Sequence, residues 1–183
     1  MDTKYAFENQ FSELISDILG VCYEYVEGRA EKIYVYLSNE AQIQYCGCFY
    51  KINGRVVRRG KLSTALQPGE LPYDEKDDVQ RRLCDILRED WGKIVNLFRQ
   101  NKRPVPTEIR MVYDVVTGRP DVRIQYEPVW SKEKGGFPLK VDLAWFAQED
   151  AAAGGTGEIP DPYKGMFEKK DKKNPFKGLF GGK

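Results

Sequence analysis

The spacing of apolar residues alternates between two periods along the chain, and this order restricts the fold more than any other feature. Between Phe7 and Val26 apolar residues recur in steps of three and four, which predicts one amphipathic helix. Ile33, Val35 and Leu37 then alternate with tyrosines, which is typical of a β-strand. A chain that switches between these periods is expected to pack helices against a sheet.

The sequence after the first strand predicts an antiparallel meander. Residues 38–40 are predicted as the turn into a second strand over residues 42–52. Asn53-Gly54 is the strongest hairpin signal in the chain, because both residues tolerate positive φ. It leads into a third strand over residues 55–61, so three neighbouring strands are expected.

A second helix and a second hairpin follow the meander. Apolar residues at helical spacing run from Val79 to Phe98, and Pro104 ends this helix. Alternation over residues 109–126, with a turn near Gly118, predicts a hairpin that buries one face and leaves the other in water. Residues 139–146 fit a last strand or a short helix equally well.

Together these segments predict an α+β fold. We expect an antiparallel sheet of five or six strands with two long helices packed on one face, in the order α-β-β-β-α-β-β. The domain is predicted over residues 1–150. From residue 151 the composition becomes rich in Lys, Gly and Pro, which predicts a flexible tail over residues 151–183.

The predicted tail contains an imperfect repeat. The pattern Asx-Pro-aromatic-Lys-Gly-apolar-Phe occurs at residues 161–167 and again at 174–180. It is either a chance similarity in a disordered tail or a pair of short linear motifs that raise affinity through avidity. In the second interpretation the aromatic anchors are Tyr163, Phe167, Phe176 and Phe180.

Residue types that carry chemistry are sparse. The chain has no histidine, and no Gly-rich loop joins a strand to a helix, so we predict no catalytic residue and no cofactor. A zinc site would require the four cysteines to converge without CxxC turns, so buried or idle thiols are favoured and no metal is predicted. The cysteines are Cys22, Cys46, Cys48 and Cys84.

Acidic side chains form the clearest candidate for a binding surface. A cluster just before and within the start of the second helix either complements the helix dipole or docks on a basic partner, and the two roles are compatible. Two further acids lie off the apolar stripe of the first helix. The predicted partner-binding residues are Glu70, Asp74, Glu75, Asp77 and Asp78, with Glu13 and Asp17.

Basic residues cluster in the third predicted strand and just after it. They could hold a phosphate or an acidic peptide, but charge that protects an edge strand from aggregation is the favoured interpretation. The cluster consists of Arg55, Arg58, Arg59 and Lys61. Of the 29 basic and 28 acidic residues, seven Lys and four acids lie in residues 151–183, so the domain carries −2 and the tail +3. This balance does not predict nucleic-acid binding.

The order of elements and several aromatic segments resemble the YezG-type immunity proteins of bacterial toxin systems. The resemblance lies in residues 31–36, the helix around Trp91, the hairpin 112–126 and the segment Leu143-Ala144-Trp145-Phe146, and it covers roughly residues 5–148. It implies a cytoplasmic antitoxin that binds a cognate secreted toxin, in several members a nuclease. The resemblance implies no catalytic residue, and it does not extend to the tail repeat, which is not expected in a minimal member of the family.

From these observations we expect a non-enzymatic protein that occupies the surface of a toxin, without direct contact to nucleic acid or membrane. We expect it to be a monomer or a weak dimer when free. The N-terminus shows no signal peptide, which predicts a cytoplasmic protein with reduced thiols. The same element order also resembles the chaperones of type III secretion, which are homodimers that hold an effector segment. An enzyme that uses carboxylates or a thiol is the third alternative.

Overall fold

The two periods of the sequence produce two helices and a sheet that share one apolar core. The structure is a computed structural model that describes residues 3–161, 163 and 164, with side chains from residue 6 onward. Its elements are α1 (Thr3–Tyr25), β1 (Lys32–Glu40), β2 (Ile43–Ile52), β3 (Arg55–Arg58), a 3-10 turn (Leu62–Ala65), α2 (Asp77–Gln100), β4 (Glu108–Asp114), β5 (Arg119–Gln125) and α3 (Pro138–Ala152).

The strands form one antiparallel sheet in the order β3-β2-β1-β4-β5. β1 is central, and its Ile33 pairs with Tyr50 of β2 on one side and with Tyr113 of β4 on the other. The predicted α+β class, the antiparallel sheet and the element order are confirmed, and the number of strands is five.

Two hairpin turns contrast in how well the sequence predicts them. Asn53 and Gly54 have φ values of 48° and 77°, so the predicted left-handed turn between β2 and β3 is present. The turn predicted at residues 38–40 is wrong, because β1 continues through Glu40. The chain reverses instead at Ala41 and Gln42, which have φ values of 48° and 64°.

The helices α1 and α2 cover one face of the sheet. They run antiparallel, since Phe7 near the start of α1 meets Phe98 near the end of α2 at a ring distance of 5.0 Å. The core between them and the sheet is apolar, and Ile18, Trp91 and Val35 are fully buried in it. α1 ends where Gly28, at φ 68°, donates its amide to the Tyr23 carbonyl, as the sequence predicts for this glycine.

A third helix covers the opposite face. Residues 139–146, which fit a strand or a helix in the sequence, lie in α3. Trp145 and Phe146 pack edge-to-face on Phe49 at ring distances of 5.0 and 5.5 Å. The second face is therefore only partly in water. At the final hairpin Arg110, predicted on the wet side, is partly buried with its guanidinium 5.3 Å from the Trp145 ring.

Candidate functional site

The segment between the 3-10 turn and α2 carries the predicted acidic cluster. Asp77 and Asp78 lie in the first turn of α2, exposed, where the helix dipole favours negative charge. Neither side chain makes a hydrogen bond or ion pair with any other residue that the structure describes. Asp74 is also exposed and pairs with Lys76 at 3.3 Å. These three carboxylates face solvent.

The other two acids of the cluster accept hydrogen bonds from other parts of the same molecule. Glu75 accepts the Leu62 amide at 2.5 Å and the Ser63 amide at 3.3 Å, and so holds the start of the 3-10 turn. Glu70 accepts the Asn53 side-chain amide at 2.7 Å and the Gln67 backbone amide at 2.6 Å. The predicted five-residue cluster therefore divides into two structural carboxylates and three outward-facing ones.

Further contacts hold the backbone of this segment although it has no regular secondary structure. Arg29 donates to the Leu71 carbonyl at 2.7 Å, and its guanidinium lies 3.7 Å from the centre of the Tyr73 ring. The Tyr73 amide donates to Ser63 Oγ at 3.2 Å. Leu71 itself is 77% exposed. We call the side chains of Leu71, Asp74, Asp77 and Asp78 the acidic surface.

Glu13 and Asp17 lie elsewhere. Both are exposed on α1 and line a shallow groove against α2 beside Lys93 and Asn96. Lys93 is sixteen residues from Asp77 along α2, which places it roughly 24 Å away at the helical rise. The two predicted groups of acids therefore do not form one patch.

The four cysteines come from three elements and lie near one another. Cys22 of α1 and Cys48 of β2 are buried, and Cys48 Sγ lies 3.4 Å from the Tyr50 hydroxyl. Cys46 Sγ lies 3.9 Å from the Cys84 carbonyl oxygen. All four are free thiols. Within the described part of the chain, no three Cys, Asp or Glu side chains are grouped so that they could hold a metal ion.

The environment of the thiols shifts their acidity in opposite directions. A hydrogen bond with Cys48, followed by burial, raises the pKa of Cys22. The same hydrogen bond lowers the pKa of Cys48, against the effect of burial and with help from the nearby charge of Arg59. Burial raises the pKa of Cys46 to about 12. Cys22 and Cys48 are fully buried in the core, so a substrate in solution does not reach their thiols.

A buried ion pair lies under α3 and was not predicted from the sequence. Asp142 Oδ2 accepts from Arg58 Nη2 and from the Tyr45 hydroxyl, both at 2.8 Å. Burial opposes the charge of Arg58, but the attraction and hydrogen bond of Asp142 raise its pKa above the ordinary value. A Cβ at Gly47 would lie 2.8 Å from Asp142 Oδ2, so a glycine leaves room for the carboxylate. The single acid within the apolar stretch 139–146 was the available signal.

A second buried polar group joins β1 to the loop before α3. Glu40 accepts the backbone amides of Val129, Trp130 and Ser131 at 2.9, 3.4 and 3.1 Å. Ser38 Oγ accepts the Trp130 indole N–H at 2.8 Å. These contacts explain why polar residues that predict a turn in the sequence lie instead inside a strand.

The basic cluster also divides in the structure. β3 is an edge strand, as the favoured interpretation of these charges requires. Arg55 donates to the Thr64 carbonyl, whereas Arg58, Arg59 and Lys61 line a separate pocket near Tyr163.

The predicted domain boundary falls two residues before the end of α3 at Ala152. The chain then turns back, and the Gly155 and Gly157 amides donate to Asp150 at 2.8 and 3.0 Å. Of the predicted tail anchors, Tyr163 is partly buried, and Phe167, Phe176 and Phe180 lie outside the described residues.

Comparison with known proteins gives no assignment. No protein-family model matches the chain, and no curated protein matches it. Among the described residues, no helix combines the length and the apolar character that crossing a membrane requires.

Proposed function

We propose that this protein is an immunity protein that binds and occludes a cognate secreted toxin, a nuclease domain, in the cytoplasm of the producing cell. The observation that carries the proposal is the acidic surface. It offers outward-facing carboxylates and one exposed leucine on a backbone segment that the protein itself holds in place.

The fixed backbone supports a binding role because ordering a flexible loop on association costs free energy. Glu70, Glu75 and Arg29 hold this segment before any partner arrives. Within the part of the chain that the structure describes, Asp77 and Asp78 have no ion pair that must break before they contact a partner.

The chemistry of the surface suits a nuclease. Nuclease domains are basic where they hold the phosphates of their substrate. Opposite charge across an interface accelerates association, whereas buried apolar contacts slow dissociation. Asp74, Asp77 and Asp78 would supply the first effect and Leu71 the second. A producing cell needs slow dissociation so that the toxin remains inactive until export.

The test first searches the neighbouring genes for a toxin with a nuclease domain, and then measures the association of the purified domain with this protein at low salt. We expect Asp77→Lys with Asp78→Lys to slow association about tenfold, because reversing both charges removes the electrostatic attraction. Glu13→Lys with Asp17→Lys is the matched control, since it changes the net charge equally at the distant groove. Equal slowing by the two double variants would contradict the placement of the interface.

A neighbouring gene without a toxin domain, or a nuclease that the protein does not bind, would contradict the proposed function itself. The mass in solution distinguishes the chaperone alternative. An immunity protein is expected to be a monomer or a weak dimer, whereas a stable homodimer by light scattering would favour a secretion chaperone.

A further inference from the structure

A small pocket lies between the end of β3 with the loop that follows it, the N-terminal end of α2 and the last described residues. Its volume is about 230 Å³. It is lined by Arg58, Arg59, Gly60, Lys61 and Gln80, with Pro160, Asp161 and Tyr163 at its rim.

Arg59 is the central group of this pocket because it has no counter-charge among the residues that the structure describes. It makes no ion pair and its side chain donates no hydrogen bond to any described residue, while its Nε is buried. A buried guanidinium donor without a partner is costly, because it has lost its hydrogen bond to water without gaining another.

Arg58, which also lines the pocket, has only part of its guanidinium partnered among the described residues. Arg58 uses Nη2 to bind Asp142, but its buried Nη1 has no hydrogen-bond partner. Lys61 adds an exposed ammonium without an ion pair among the described residues. The lining thus presents three cationic side chains within four consecutive positions, Arg58, Arg59 and Lys61, against the single carboxylate of Asp161.

The walls of the pocket are held rigidly. The Tyr25 hydroxyl donates to the Arg59 carbonyl at 2.9 Å, and the Lys61 amide donates to the Arg58 carbonyl at 2.9 Å. Gln80 Nε2 donates to the Glu75 carbonyl at 2.7 Å and keeps a second hydrogen for a ligand. Donors that are fixed before binding lose little entropy when a ligand arrives.

We propose that this pocket binds a phosphate group, either as free phosphate or as a phosphomonoester. Guanidinium groups donate in a planar fork that matches phosphate oxygens, and a dianion compensates the charges of Arg59 and Lys61 together. A single carboxylate compensates one of them only. The pocket is smaller than the ~300–1,000 Å³ of sites for drug-sized ligands, so it accommodates the phosphate group rather than a whole nucleotide.

The test is a titration of the full chain at constant ionic strength, followed by amide shifts in two-dimensional NMR. The probes are inorganic phosphate, N-acetyl-phosphoserine amide and acetate. We expect saturable shifts at residues 58–61 and 80 with both phosphates and none with acetate. Tighter binding of the ester than of free phosphate identifies a phosphorylated side chain as the source, and the reverse order identifies the free ion.

Substitutions test whether the residues that line the pocket bind the phosphate. Arg59→Gln is expected to weaken phosphate binding at least about tenfold, the loss expected for a charge-assisted hydrogen bond. Lys61→Gln, at an exposed position, tests the same site without disturbing the fold. Asp161→Asn is expected to tighten binding, because it removes the one repelling carboxylate. Arg119→Gln removes an equal charge from an exposed site on β5 and should change nothing.

Three outcomes would overturn the site. They are shifts spread over all basic surface residues, equal losses in Arg59→Gln and Arg119→Gln, and acetate binding as tight as phosphate. The toxin-binding test does not involve these residues, so the two proposals fail separately.

Discussion

The two faces of the sheet are covered by different chemistry. On the face of α1 and α2 the buried side chains are apolar and form one large cluster that includes Ile18, Trp91 and Val35. On the face of α3 the buried cluster is smaller and aromatic, and it borders the Arg58–Asp142 ion pair. The first face gains stability from the amount of apolar surface it buries, whereas the second depends on individual polar pairings.

This difference predicts different sensitivities to mutation. On the first face, truncation of a large side chain should lower the free energy of unfolding the most. On the second face, loss of one charged partner should lower it by nearly as much, although few atoms change.

Trp91→Ala should lower the free energy of unfolding by about 4 kcal/mol, because it empties a fully buried site. It also removes the indole N–H that donates to the Ser38 carbonyl at 3.0 Å. Chemical denaturation measures the loss. Trp145→Ala on the second face is the matched comparison and should cost less, and a larger loss at Trp145 would reverse the proposed ranking of the faces.

Asp142→Asn should lower the free energy of unfolding by about 3 kcal/mol, since it leaves the charge of Arg58 without its partner. Replacing both residues by apolar ones, Arg58→Met with Asp142→Leu, should recover most of this loss. Denaturation of the single and double variants gives the comparison. If the double variant is as unstable as the single one, the cost does not come from an unpaired charge.

Glu40→Gln should cost about 2 kcal/mol, because an amide cannot accept all three backbone N–H groups that the carboxylate holds. Glu31→Gln is the control. Glu31 is more exposed and accepts the single Gly54 amide, so its replacement should have a smaller effect on the denaturation midpoint. Equal effects would show that burial of the Glu40 contacts does not matter.

Gly20→Ala should raise the free energy of unfolding by about 0.5–1 kcal/mol, since alanine favours a helix more than glycine does. A Cβ at this position of α1 meets no atom within 4 Å. Gly28→Ala provides the opposite case, because Gly28 has a φ of 68° and a Cβ there would lie 2.7 Å from the Tyr23 hydroxyl. Thermal unfolding should move in opposite directions for the two variants.

The sequence predicts most of the first face and little of the second. Helical and strand periods are local, so α1, α2 and the Asn53-Gly54 turn follow from neighbouring residues. The role of Asp142 depends on Arg58, 84 positions away, and that of Glu40 on residues about 90 positions away. Such partners leave no local pattern.

The candidate binding surface shows the same limit. The composition of residues 70–78 indicates an acidic segment, but not which carboxylates remain available to a partner. Glu75 accepts a hydrogen bond from the Leu62 amide, and Glu70 accepts one from the Asn53 side chain. Both hydrogen bonds form only in the folded protein. Asp77 and Asp78 keep their exposure because the first turn of α2 points into solvent.

We propose that this protein acts by covering a toxin, and a nuclease assay with increasing amounts of the purified chain tests this proposal most directly. We expect the activity of the cognate nuclease domain to fall to zero at an equimolar ratio. The Asp77→Lys/Asp78→Lys variant should require an excess. Full nuclease activity in a large molar excess of the unmodified protein would contradict the claim.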